Sequence, residues 1–495
     1  MINTTAVKVS NALLKDPPPQ VKCPTYDRSA LRTGIVHLGF GNFHRAHQAL
    51  YADQLMELHG MRDWGICGVG TTPQDARMHA AMKSQDNLYT LVERGPKGNS
   101  ARIIGSVTGY IFGHQDPEAA FQKMADPAIK IVSMTTTESS YYMHSGTGEL
   151  MLDHPAVKND LHNPTKPQTI FGYLAEGLER RMKAAMKPFT VLSCDNVQGN
   201  GKVARKMLLT FCQERSPALA QWVEKNVTTP SCMVDRITPA TTEEMETYVK
   251  ETFGVHDLYP VITEPFLQWV IEDEFCNGRP EWEKVGVQIT HDVEPWEKTK
   301  MSILNALHSA MGYTGYLCGF RFIHEIAHAP TFIPYLTDML DIEVTPLMPP
   351  IPGLDLTAYK RSAMERFGNP MLQDTCLRIC MDGSAKLPKF ILPSIIGELQ
   401  RNGPIRRLTL CVAAWIRFLN GVDEQGVVIP IVDPMGEKLQ ALAKKHRENP
   451  RPFLELTDIF SDLGKSERFV QELELLLKML YEKGAAETLK FASKG

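Results

Sequence analysis

The sequence has no basic block, no CxxC pair, no sustained apolar stretch near its start and no internal repeat. Each absence excludes something. Lys and Arg total 53 against 57 Asp and Glu, a net charge of −4 without a basic run, which argues against a nucleic-acid partner. Ten cysteines scattered over 495 residues offer no disulfide framework. Cys376 and Cys380, four apart on a predicted helix, lack the second ligand pair that zinc needs, so reduced thiols in a cytoplasmic protein are expected. The opening MINTTAVKVSNALLKDPPP never sustains the apolar core of a leader, so none is expected. The one long uncharged run, Met301 to Phe320, has the length of a bilayer span. It carries Ser302, Asn305, His308, Ser309, Thr314 and two tyrosines, which fits a helix buried in a water-soluble core and no membrane partner.

What is present is ordinary globular composition, 43% hydrophobic and 22% charged, in a chain long enough for two or three domains. The first half alternates short apolar strands with helical segments, the pattern of a parallel sheet with crossover helices. Strands are predicted at 34–40, 64–70, 129–137 and 189–195, and helices at 45–59 and 170–185. After residue 290 the pattern turns to long helices, including 300–320, 412–419 and the closing stretch from Phe469, with a Pro-rich surface loop at 345–353. The fold class is therefore α/β: a Rossmann-like dinucleotide-binding domain over 1–290, then a mostly α-helical domain over 291–495.

GIVHLGFGNFHRAHQ puts Gly39 and Gly41 between a strand and a helix. In a dinucleotide site the first glycine permits the tight turn and the second lets backbone approach the pyrophosphate. The third glycine of that fingerprint is missing, and His44 stands in its place. A plain strand–helix turn is the alternative for two glycines alone. The first acid after the second strand is Asp75, placed to accept from the adenosine ribose and to repel a 2′-phosphate, which favours NAD. Arg77, two residues on, could instead reach a 2′-phosphate.

Three polar groupings carry candidate chemistry. At 100° per residue Glu297, Lys300, His308 and Asn305 fall within one arc of roughly 140°. A lysine partly desolvated on such a face can accept a proton near neutral pH, and an asparagine can donate to an oxygen gaining charge. A surface Glu–Lys pair beside a satisfied core histidine is the alternative. SCDNVQGNG (193–201) places Asn196 at a strand end, where open α/β sheets hold ligand groups; an Asn/Gly-rich turn explains it equally. VDRITP (234–239) joins Asp235 to Arg236, which an ion pair holding a loop would also explain.

HLGFGNFHRAH, TTTE followed by Tyr141, SCDN, VDRITP, KMSILNALHS, RFGNP and DGSAKLP occur in the order found in the long-chain polyol dehydrogenases, and the chain resembles that family, of the mannitol 2-dehydrogenase type, over nearly its whole length. The resemblance implies NAD(H), no metal, a substrate cleft between the two domains, and hydride transfer between a polyol's secondary alcohol and a ketose. It assigns Lys300 as general base, Asn196 and Asn305 as the oxyanion pair, and Glu297 as proton relay. His308, Asp235, Arg378 and Lys386 would hold substrate hydroxyls. Gly39, Gly41, Asn42, Phe43, Arg45, Asp75 and Glu138 would line the cofactor. The expected reaction interconverts D-mannitol and D-fructose at C2 in a monomer or weak oligomer. A fructuronate or tagaturonate reductase and a D-arabinitol or sorbitol dehydrogenase are the alternatives within the family, and a non-catalytic NAD-binding sensor is the alternative outside it.

Overall fold

The computed structural model describes residues 6–96, 98–144 and 146–494. The chain divides into two compact units, Met1–Glu294 and Pro295–Gly495.

The first unit is built on a five-stranded sheet of β1 (Thr33–Leu38), β2 (Gly65–Val69), β3 (Val107–Ile111), β4 (Ile131–Met134) and β5 (Thr190–Ser193). The spatial order is β3-β2-β1-β4-β5 with every neighbouring pair parallel. This is the doubly wound order, with its switch point between β1 and β4. The pleat explains why both faces need helices. Val36, Val132 and Val191 point into a core with Leu174 of α3 (Ile170–Lys183) and Phe211 of α4 (Asn200–Arg215). Their chain neighbours Ile35, Ile131 and Leu192 point the other way, toward Leu50 and Leu55 of α2 (Gln48–His59). The strand 107–111, absent from the sequence reading, is an edge strand with four half-buried residues, one of them a glycine, so it lacks the apolar run that betrays the other strands of the sheet.

The helix expected at 45–59 is two helices, α1 (Asn42–Ala46) and α2, broken where His47 leaves helical geometry at φ −122°, ψ −88°. Beside the main sheet lies a second, in which β6 (Cys232–Asp235) runs antiparallel to β7 (Gln268–Glu272) and β7 parallel to β8 (Gln288–Thr290). A four-stranded sheet contains the hairpin 89–95/98–104.

The second unit contains no strand among its described residues. A helix α5 (Glu294–Thr299) begins at the division and passes through a π-helical turn, Lys300–Asn305, into α6 (Ala306–Leu317). Around it pack α7 (Cys376–Ile379), α8 (Gly383–Phe390) and α9 (Arg406–Phe418), and α10 (Glu467–Glu482) packs on α9. Tyr313 of α6 meets Phe418 of α9 edge-on at 5.4 Å. A Cβ on Gly312 would already stand 3.0 Å from Ile379, so α6 and α7 touch closely. Along α10, Phe469, Val470, Leu473, Leu476, Leu477 and Leu480 are buried at helical spacing, the stripe that drives its docking. The 345–353 loop lies largely exposed, pinned by buried Ile351. Among the described residues no helix is long and apolar enough to cross a membrane.

Candidate active site

Apart from Asp235, the candidate residues of the first unit follow the carboxyl ends of the parallel strands of its main sheet. Gly39 closes β1 at φ +80°, and a Cβ there would fall 2.2 Å from the Thr135 carbonyl oxygen, so glycine is required. Gly41 has ordinary φ, −91°, and a Cβ would find nothing nearer than the Gly39 carbonyl oxygen at 3.8 Å. Space beside Gly41 is open, which fits backbone approach by a phosphate group.

The side chains of Asn42 and Arg45 are turned to a different task. Asn42 Nδ2 donates to the Pro239 carbonyl at 3.0 Å and to Thr241 Oγ1 at 2.9 Å, while its Oδ1 accepts from Arg45 at 2.6 Å. Arg45 is fully buried, donates to the Tyr259 carbonyl, and lies over the Tyr89 and Tyr259 rings. These two residues lock the turn to the 239–259 segment. Phe43, half-buried, stacks on His47 at 4.9 Å.

The structure also explains the missing third glycine. That position normally needs glycine because helix and strand approach closely. Here the flat His44 ring stacks on His37 of β1 at 3.4 Å, and His37 bridges Ser133 and Thr135 Oγ1, both at 2.8 Å. Burial pushes His37 down to about 3 and His44 well below the usual histidine range, so both rings are neutral and stack without repulsion. No sequence pattern pointed to this pair; only the β1–β4 pairing brings Ser133 beside residue 37.

Asp75 stands just beyond the end of β2, and a Cβ on Gly70 would meet it at 2.6 Å. Its carboxylate accepts from the Thr72 amide at 2.9 Å and hydroxyl at 2.8 Å, which fixes its orientation. Arg77 is turned away, paired with Glu246 and lying over the Tyr259 ring. Glu138 is exposed and begins the turn Glu138–Tyr141 after β4, which ends on buried Tyr141. Asn196 is exposed just past β5. Its neighbour Asp195 is buried and accepts from the Thr136 amide, from Tyr141 Oη at 2.5 Å and from Ser193 Oγ at 3.2 Å. Burial lifts this carboxyl to about 6, and the donated bonds oppose the rise. Asp195 thus ties the ends of β4 and β5 together beneath Glu138 and Asn196. Asp235 ends β6, buried. The guanidinium of its neighbour Arg236 reaches Glu93 at 2.6 Å and the Glu264 and Ala46 carbonyls.

In the second unit Lys300 opens the π-helical turn and Asn305 closes it. π-helix is rare, well under 1% of residues, and clusters at functional sites. Its i→i+5 bonding brings residues five apart toward one line, so Lys300 and Asn305 lie closer in angle than a straight α-helix allows. Glu297 is buried one turn earlier. His308 packs on Phe367 at 4.3 Å, and its Nε2 is buried with no partner among the described residues. Burial pushes this imidazole to about 3, so it is neutral. Lys386 donates to the Ile379 carbonyl at 3.1 Å, and burial lowers its ammonium's pKa. Arg378 is exposed and paired with Asp374. No group of three or more His, Cys, Asp or Glu among the described residues could hold a metal ion.

Residues 33–284 match the mannitol dehydrogenase Rossmann domain and residues 292–481 the mannitol dehydrogenase C-terminal domain. The chain is 49% identical over 473 residues to a mannitol 2-dehydrogenase of Phaeosphaeria nodorum, covering 95% of this chain and 83% of that one. It is similar to the solved Pseudomonas fluorescens mannitol 2-dehydrogenase ternary complex with NAD and D-mannitol (TM-score 0.88, 41% identity, 99% of this chain and 100% of that one). It also resembles the crystal structure of a D-sorbitol dehydrogenase in substrate-free form (TM-score 0.91, 37% identity, 97% and 100%). With two consecutive domain models spanning most of its length and relatives aligned nearly end to end, the chain belongs to the mannitol dehydrogenase family.

Proposed function

We propose that this protein is an NAD-dependent mannitol 2-dehydrogenase that interconverts D-mannitol and D-fructose by hydride transfer at C2, without a metal. The observation that carries this is the near end-to-end similarity to mannitol 2-dehydrogenases, one of them solved with NAD and D-mannitol. Several features support the cofactor assignment: Gly39 makes the turn, the open space beside Gly41 suits a pyrophosphate, and Asp75, just past β2, is the acceptor we assign to the ribose hydroxyls. Phe43 and Glu138 complete the assignment, with Asn42 and Arg45 acting through the turn they brace.

Bound NAD+ supplies the hydride acceptor. Lys300, in its neutral form, takes the proton from the C2 hydroxyl oxygen. Asn196 and Asn305 donate to that oxygen as it gains charge, and Glu297 passes the proton between Lys300 and solvent. Neutral His308, with its open Nε2, is suited to hold a hydroxyl, as are Asp235, Arg378 and Lys386.

Lys300→Met tests the assignment. The variant is expected to bind NADH as the wild type does and to lose nearly all turnover in both directions; near-full turnover refutes it. Initial rates with D-fructose, D-sorbitol, D-xylulose and D-fructuronate, each with its matching cofactor form, identify the substrate.

A further inference from the structure

The geometry points to Asp374 as a specificity-determining residue: by engaging Arg378 it makes the site select neutral polyols and ketoses over sugars that carry a carboxylate. This rests on the proposed reading that Arg378 faces substrate. An arginine in a sugar site is the natural receptor for a carboxylate, because its planar fork matches two carboxylate oxygens. Arg378 is already engaged in that way. Its Nε donates to one oxygen of Asp374 at 2.6 Å and its Nη2 to the other at 2.5 Å.

The pair is held firmly from the Asp374 side. The Asp374 carbonyl accepts from the Ile323 amide at 2.9 Å, and the next residue, Thr375, pairs with Phe322 and caps α7, the helix that carries Arg378. The Asp374 side chain is only 10% exposed, while Arg378 remains 58% exposed. A carboxylate so shielded has little water to exchange for, and the bidentate contact persists where an exposed pair would not. The Asp374 charge also reaches His308, where it opposes the effect of burial on the ring.

Two consequences follow for a ligand. An incoming carboxylate finds the Nε–Nη2 edge occupied and meets a fixed negative charge, a juxtaposition that costs specificity-level free energy. A hydroxyl meets no such penalty, since it accepts from one of the three remaining guanidinium N–H donors and can donate to the aspartate. Lys386, the nearby ammonium, cannot replace the fork: it is a point charge without the guanidinium's planar pair of donors, and one of its three donors already serves the Ile379 carbonyl.

The test uses the full enzyme with Asp374→Asn, Asp374→Ala and the double variant Asp374→Asn/Arg378→Gln. NADH-dependent rates are measured with D-fructose and D-fructuronate, alongside inhibition of fructose reduction by D-mannitol and D-mannonate. Wild type should be inhibited at least about tenfold more weakly by D-mannonate than by D-mannitol. Asp374→Asn should raise the fructuronate-to-fructose ratio of kcat/KM at least about tenfold, mainly through KM, and the double variant should lose that gain. An unchanged ratio in Asp374→Asn, or a gain that persists without Arg378, overturns the inference. Equal wild-type inhibition by the acid and the neutral polyol overturns it even if the variants do not fold. Wild type that prefers fructuronate outright refutes the proposed function as well, whereas fructose preference combined with an unresponsive Asp374→Asn refutes this inference alone.

Discussion

Gly39 and Gly41 differ by two positions and should respond oppositely to the same methyl group. In Gly39→Ala the new residue must keep a left-handed φ of +80°, which costs about 1–2 kcal/mol for a non-glycine residue. Its Cβ would also stand 2.2 Å from the Thr135 carbonyl oxygen, more than 1 Å inside ordinary contact. Thr135 cannot simply retreat, because its amide donates to Leu38 at 3.1 Å and its hydroxyl to the Gly39 carbonyl at 2.8 Å. Forcing these segments apart resembles overpacking and adds about 1–3 kcal/mol. The sum is about 2–5 kcal/mol, which in a domain of this size lowers Tm by roughly 4–10 °C. Gly41→Ala has φ −91° and open space, so it should be neutral or stabilising by about 0.4–1 kcal/mol through the unfolded chain. The same methyl would block close approach of a pyrophosphate and weaken NADH binding at least about tenfold. Thermal melts and NADH fluorescence titrations on both variants decide. If Gly39→Ala melts with the wild type, or Gly41→Ala binds NADH with wild-type affinity, the account of this turn is wrong.

The buried histidine stack makes stability pH-dependent. Folding depresses the His37 pKa to about 3, so its contribution is complete above the unfolded value near 6.5 and is lost as pH falls from there toward 3, by up to about 1.4 kcal/mol per pH unit. Urea unfolding at about pH 7.5 and pH 5 should show a shallower loss for His37→Gln than for wild type; equal slopes would contradict the neutral stack. Asp75→Ala should lower the NADH-to-NADPH ratio of kcat/KM by at least about tenfold, because the carboxylate that Thr72 orients would no longer repel a 2′-phosphate. An unchanged ratio would mean that another residue reads the ribose. Asn305→Ala should lower kcat by roughly 100- to 1,000-fold, the usual loss of about 2.7–4 kcal/mol for one oxyanion donor, with NADH affinity within about twofold of wild type. A loss smaller than about tenfold would remove Asn305 from that role.

The sequence by itself determined the α/β class, four of the five strands of the main sheet and several of the long helices, because burial writes a period into the chain: continuous apolar runs for strands covered on both faces, and stripes such as Phe469 to Leu480 for helices packed on one side. It also made the need for glycine at position 39 legible, since the tight strand–helix turn requires it there, and it supplied Asp75 and Lys300 as candidates for the cofactor contact and proton transfer proposed above. Tertiary structure decided what those neighbours do. Edge strand 107–111 lacks a one-sided pattern because every residue after buried Val107 is half-buried. Asn42, Arg45 and Arg236 looked like ligand groups or loop pairs, yet their partners lie at Pro239, Tyr259 and Glu93, separations that no local pattern encodes. The π-helical turn that draws Lys300 toward Asn305 looks like plain α-helix in sequence, because an extra residue per turn leaves no compositional trace. Arg378 could have received a carboxylate on residue type alone; the bidentate Asp374 became visible only when a backbone bond to Ile323 and a cap from Thr375 fixed both side chains in one place.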